Sequence, residues 1–125
     1  RRMGDLTANF SKHEFSCPCC GVSEVNMDFV AKLQSVRTRL DSPLCLNSTY
    51  RCFSHNRDVG GVDDSAHRKG LAADVSVANS SDRMRYLNAF LEEFKRIGIA
   101  DDFIHVDMDD SKAGQNVIWL YPSKK

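Results

Sequence analysis

Ser65-Ala66-His67-Arg68-Lys69-Gly70-Leu71-Ala72-Ala73-Asp74 marks where a polar loop becomes a strand. The segment before it, from Arg51 to Lys69, is rich in Ser, Asn, Asp and Gly and reads as a long functional loop. At Gly70 the chain can reverse sharply, because glycine tolerates positive φ. From Ala72 to Val77 the residues are small or β-branched and apolar positions alternate, which predicts a strand. On that strand Asp74 and Ser76 share one face, and Ala73, Val75 and Val77 share the other.

The neighbouring segments supply the rest of the fold. Asn26 is a candidate cap for a helix running to about Leu40, with Val30, Leu33, Val36 and Leu40 recurring at helical spacing. Asp41-Ser42-Pro43 ends it. Ser11-Lys12-His13-Glu14 fits a capping box and predicts a short helical turn. Leu44–Tyr50 reads as a strand. Asn79-Ser80-Ser81 opens a second helix, from about Asp82 to Ile97, whose apolar stripe is Met84, Leu87, Phe90, Leu91 and Phe94. Gly98 is its expected C-terminal stop. Phe103–Met108 is a third strand. Val117–Tyr121 is a fourth, with Trp119 and Tyr121 on one face and Ile118 and Leu120 on the other. The class is therefore α+β, a small, mostly antiparallel sheet packed against two main helices.

The 125 residues suffice for a single domain, with residues 1–8 a loose N-terminal extension. Seventeen basic side chains balance seventeen acidic ones, so no nucleic-acid surface is expected. No apolar run approaches the roughly 20 residues that span a bilayer. Arg1-Arg2-Met3-Gly4-Asp5 is followed by no apolar signal region, which predicts synthesis in the cytoplasm. A monomer is expected. The five cysteines are an odd number, so they cannot all pair within the chain. For Cys17, Cys19, Cys20, Cys45 and Cys52, buried thiols rank first, a disulfide second and a structural metal third; reduced thiols suit a cytoplasm.

His67, Asp74 and His105 offer two imidazoles and one carboxylate. If strands 72–77 and 103–108 are neighbours, Asp74 and His105 sit side by side on one sheet face, within cross-strand reach. With His67 they would hold one metal ion, and zinc suits such a set, although other divalent ions also accept it. Asp102 stands three residues before His105 and would face away on a straight strand, so a bend at Gly98–Asp101 is required to aim it at the metal's water. There it would act as general base. The alternatives are plain ones: His67 as an ordinary histidine, Asp102 as part of a solvated acidic turn. His13 and His55 are read as ordinary histidines.

Ser65-x-His67-x-x-Gly70-x-Ala72-x-Asp74, followed by Asp102-x-x-His105-Val106-Asp107, closely resembles the M15 family of zinc peptidases. That family includes D-Ala-D-Ala carboxypeptidases and phage endolysins that cut peptidoglycan peptides. Asn9-Phe10-Ser11-x-x-Glu14-Phe15 and Ser48-Thr49-Tyr50-Arg51-Cys52 look like the subgroup of that family with a short domain. The resemblance runs from about Phe10 to Met108. It implies one catalytic zinc ion on His67, Asp74 and His105, and a catalytic base at Asp102. It also implies that Arg51 steadies the developing oxyanion or binds a substrate carboxylate. Ser65 would hydrogen-bond substrate or fix its loop, and Asp107 would orient a ligand histidine. The implied activity is hydrolysis of an amide bond in a peptidoglycan stem peptide, as carboxypeptidase or endopeptidase. The enzyme would reach the cell wall by phage-lysin-like release or on a virion. Two rival readings are a non-catalytic zinc-binding module and a structural virion protein of the same fold.

Overall fold

A computed structural model describes residues 10, 15, 17, 26–49, 70–109 and 114–122. The elements are α1 Met27–Leu40, β1 Leu46–Ser48, β2 Ala72–Ser76, α2 Ser80–Phe90, β3 Arg96–Ile99, β4 Phe103–Asp107 and β5 Val117–Leu120. The class is α+β, with two helices and a five-stranded mixed sheet in the order β1-β2-β4-β3-β5. β1 with β2, β2 with β4 and β3 with β4 pair antiparallel; β3 with β5 pairs parallel. No helix among the described residues is long and apolar enough to cross a membrane.

Local chemistry starts and stops α1. The Asn26 side chain accepts the Phe29 N–H at 3.1 Å, and Asp28 lies in the positively polarised first turn. Arg37 and Arg39 complement the last turn, and Asp41 caps it in the left-handed region at φ 52°. Phe29, Val30, Leu33 and Val36 form the buried stripe. They join Ala89 and Phe90 of α2, Phe94, and the sheet residues Ala73, Val75, Ile97, Ile104 and Val106 in one apolar cluster. Phe94 packs edge-on against both Phe29 and Phe90, at 5.7 and 6.0 Å between centroids. Full burial of each such ring contributes about 1.5–3 kcal/mol.

Alternation along β2 and β4 turns these apolar side chains to the helices and leaves Asp74, His105 and Asp107 on the opposite face. The sheet thus separates an apolar core from a polar, site-bearing surface.

Three expectations are corrected. The second helix does not reach Ile97: α2 ends at Phe90, and Leu91 rather than Gly98 is its C-cap. A turn follows, in which α1 holds Glu93: the Lys32 ammonium donates to its carbonyl at 3.2 Å and the Ser35 hydroxyl to its carboxylate at 3.0 Å. Arg96–Ile99 is then a fifth strand that pairs on both edges, with β4 and β5. A helix there would leave the backbone of β4 unpaired along that edge, and Ile97 and Ile99 favour extended backbone in any case. The apolar stripe shifts accordingly: Met84 and Leu91 are 63% and 50% exposed, while Ala89 joins Phe90 inside. Finally, Cys17 is buried but Cys45 is exposed, so burial does not hold for every thiol. The N-terminal extension, the Ser11–Glu14 box, Cys19, Cys20 and Cys52 lie outside the described residues.

Candidate functional site

The register places Asp74 directly across from His105, and His105 directly across from Gly98. Next to this row, Asp107 stands opposite Arg96. Antiparallel partners in register share a face, so Asp74, His105, Asp107 and Arg96 converge on the side away from the helices. His105 Nδ1 lies 2.9 Å from Asp74 Oδ1, and its Nε2 lies 2.7 Å from Asp107 Oδ2. Arg96 Nε donates to Asp107 Oδ1 at 2.9 Å, and the Asp109 N–H donates to the same oxygen at 3.2 Å.

An aromatic wall closes the site toward β5. Trp119 and Tyr121 lie 5.4 and 6.4 Å from the His105 ring, centroid to centroid, and Phe103 packs on Tyr121 at 5.4 Å. Gly98 makes room for this wall. A Cβ there would stand 2.6 Å from Trp119 Nε1 and 2.6 Å from Tyr121 Cε2. No side chain can be added at Gly98 without displacing both rings.

Electrostatics at His105 run against its burial. Burial alone would depress the imidazole pKa. The hydrogen bonds to Asp107 and then Asp74, with the charges of both, outweigh it and raise the pKa above the ordinary 6.5. Asp107 is the mirror case: burial pushes its carboxyl up, but the His105 hydrogen bond and charge, the Asp109 N–H and the Arg96 charge hold it below the ordinary 3.8. Without metal, both ring nitrogens face acceptor carboxylates, so the imidazolium donates to each.

These directions set the pH response of the metal-free protein. The raised His105 pKa contributes stability that is complete below 6.5 and is lost as pH climbs through the folded value. The lowered Asp107 pKa contributes stability present above 3.8 and lost as pH falls through the folded value. Thermal unfolding of chelator-treated protein is therefore expected to show a falling Tm as pH rises from about 6.5 into the alkaline range. A His105→Gln variant should lose most of that slope. An identical slope in the variant would remove His105 as its source.

Could this cluster take a metal? Neighbouring donors of a tetrahedral zinc ion, each at roughly 2.0–2.1 Å, stand about 3.3 Å apart. Asp74 Oδ1 and His105 Nδ1, 2.9 Å apart with only a proton between them, are close to that spacing. Exchange of the proton for a metal needs only a small movement. Asp107 on Nε2 matches the carboxylate that commonly fixes a ligand imidazole from behind. The donor set so far fits zinc but is incomplete: among the described residues no three His, Cys, Asp or Glu side chains are grouped to hold a metal.

The structure thus brings Asp74, His105 and Asp107 together. Gly70, at φ 71°, makes the left-handed turn that leads into β2. Asp102 is exposed in the short hairpin between β3 and β4, next to the first residue of β4. The chain turns between β3 and β4 at Ala100–Asp102, so the expected Gly98–Asp101 bend begins later than Gly98, which is inside β3. The Asp102 carbonyl accepts the Val77 N–H at 2.9 Å, which ties the hairpin to the end of β2. His67, Arg51 and Ser65 lie outside the described residues. Sequence reasoning missed Arg96 because it placed that residue in the second helix, and it took Gly98 for the stop of the same helix. A glycine flanked by two isoleucines was the available signal for a strand.

The family model described as Peptidase M15 matches residues 8–107, which takes in β1 to β4, both helices and the whole Asp74–His105–Asp107 cluster. No curated protein matches the chain.

Proposed function

The chain belongs to the peptidase M15 family, and from that premise we propose that it hydrolyses an amide bond in peptidoglycan stem peptides with one zinc ion as cofactor. The observation that carries this reading is the Asp74–His105 pair, two metal-type donors 2.9 Å apart on the sheet face away from the helices. His67, Asp74 and His105 would hold the ion. Zinc bound there supplies a Lewis acid that polarises the scissile carbonyl and makes water a nucleophile near neutral pH.

The remaining steps belong to the chain's own side chains. Asp102, exposed at the hairpin, accepts the proton of the attacking water and returns it to the leaving amine. Arg51 holds the oxygen on which negative charge develops, or a substrate carboxylate. Ser65 hydrogen-bonds the substrate or fixes the loop that carries His67. Asp107 keeps the His105 ring oriented. The chain acts as a monomer on the cell wall, reached by phage-lysin-like release or on a virion.

Mass spectrometry of purified muropeptides after digestion is the test. The expected result is cleavage of one stem-peptide amide bond, abolished by a chelator and restored by zinc. The mass of the products tells loss of a terminal D-Ala from an internal or cross-bridge cut, and so separates carboxypeptidase from endopeptidase. Intact muropeptides after digestion with zinc-loaded protein would refute the reading.

A further inference from the structure

We propose that Arg96 is the positioning residue of the candidate metal centre, holding from one guanidinium both the carboxylate behind His105 and the indole beside it. The inference rests on the reading of His105 as a metal ligand and adds a residue to which nothing else gives a role.

Arg96 sits directly across the β3–β4 pair from Asp107, and its Nε donates to Asp107 Oδ1 at 2.9 Å. Its Nη1 donates to the Gly114 carbonyl, which ties the guanidinium to the segment leading into β5. The face of the same group lies 5.0 Å from the Trp119 ring centroid, a cation–π contact. Trp119 in turn packs on the His105 ring at 5.4 Å. Arg96 therefore reaches His105 by two routes, through Asp107 to Nε2 and through Trp119 to the ring face. Its side chain is 14% exposed and that of Asp107 is 2% exposed, so water screens the pair weakly.

One guanidinium serves these three neighbours because it is planar, offers five fixed donors and stacks on aromatic faces. Lysine would supply the charge to Asp107 but not the fork to Gly114 together with the stack on Trp119. Without Arg96, the Asp107 carboxylate keeps the His105 ring on Oδ2 and the Asp109 N–H on Oδ1, but Oδ1 loses the closer and charged one of its two donors. The imidazole then has a less fixed direction in which to present Nδ1. Residues that orient a ligand from outside typically change metal affinity about 10- to 100-fold when removed.

The test is zinc affinity, measured by competition with a chromophoric chelator, on wild type, Arg96→Met, Arg96→Lys, Asp107→Asn, the Arg96→Met/Asp107→Asn double variant and His105→Ala. Circular dichroism establishes which metal-free variants are folded. Arg96→Met is expected to weaken zinc binding by about 10- to 100-fold, with Arg96→Lys between it and wild type. Because Arg96 acts largely through Asp107, the double variant should bind nearly as well as Asp107→Asn alone. A folded Arg96→Met with wild-type zinc affinity overturns the inference and leaves the metal reading standing. Full additivity in the double variant overturns the route through Asp107. If Arg96→Met does not fold, Arg96→Lys decides: a loss of affinity supports the positioning role and wild-type affinity ends it. Equal zinc binding by wild type and His105→Ala overturns the His105 reading itself, and the inference with it.

Discussion

Replacing Asp102 with Ala is expected to cut muropeptide hydrolysis by about 10²- to 10⁴-fold, the usual contribution of a positioned general base, while zinc content stays at the wild-type level. The hairpin explains why the two readouts should part. Asp102 is exposed beside β4, outside the hydrogen-bonded cluster formed by His105, Asp74 and Asp107. Its structural tie to β2 is made by its backbone carbonyl, which any substitution keeps. Removal of the carboxylate should therefore remove a proton acceptor without unseating the donors. Asp102→Asn, which keeps the shape and loses the basicity, should be impaired nearly as much. Turnover of the Ala variant within a few-fold of wild type would exclude Asp102 as base. Loss of zinc along with activity would give it a place in metal binding instead.

The second large effect is at His105. His105→Ala is expected to abolish zinc binding and hydrolysis together. The His105 side chain is 8% exposed, and no other described side chain stands between Asp74 and Asp107 to take its place. The metal-free protein should also lose stability. The substitution removes a donor shared by two carboxylates and leaves space beside Trp119. Asp107 keeps Arg96 and the Asp109 N–H, so its charge stays compensated and the penalty should be about 1–3 kcal/mol rather than the cost of an orphaned buried charge. Thermal unfolding of the metal-free variant reads that term separately from the loss of metal.

Much of this architecture was legible in the residues because local and long-range signals agreed. Asn26 and Asp41 bracket α1 as cap chemistry demands, and alternation in Ala72–Val77 identified the face on which Asp74 stands. Adjacency of β2 and β4 was needed to join Asp74 to His105, and the register supplies it without offset. The failure came where two signals conflicted. Phe90, Leu91 and Phe94 continue a helical spacing past Phe90, but Phe94 enters the core from a turn fastened to α1. Strand pairing then claims Arg96–Ile99. That one boundary hid Arg96, whose partners Asp107, Gly114 and Trp119 are brought to it only by the sheet. The expectations for His67, Arg51 and Ser65 concern residues outside those described.

The most direct measurement of the central claim is calorimetric titration of zinc into chelator-stripped protein, repeated in buffers of different ionisation enthalpy. The account predicts one zinc per chain and release of protons on binding, because the metal displaces the proton that His105 Nδ1 shares with Asp74. It also predicts that His105→Ala and Asp74→Ala abolish the binding. No binding to the wild type, or binding that survives both substitutions, would contradict it.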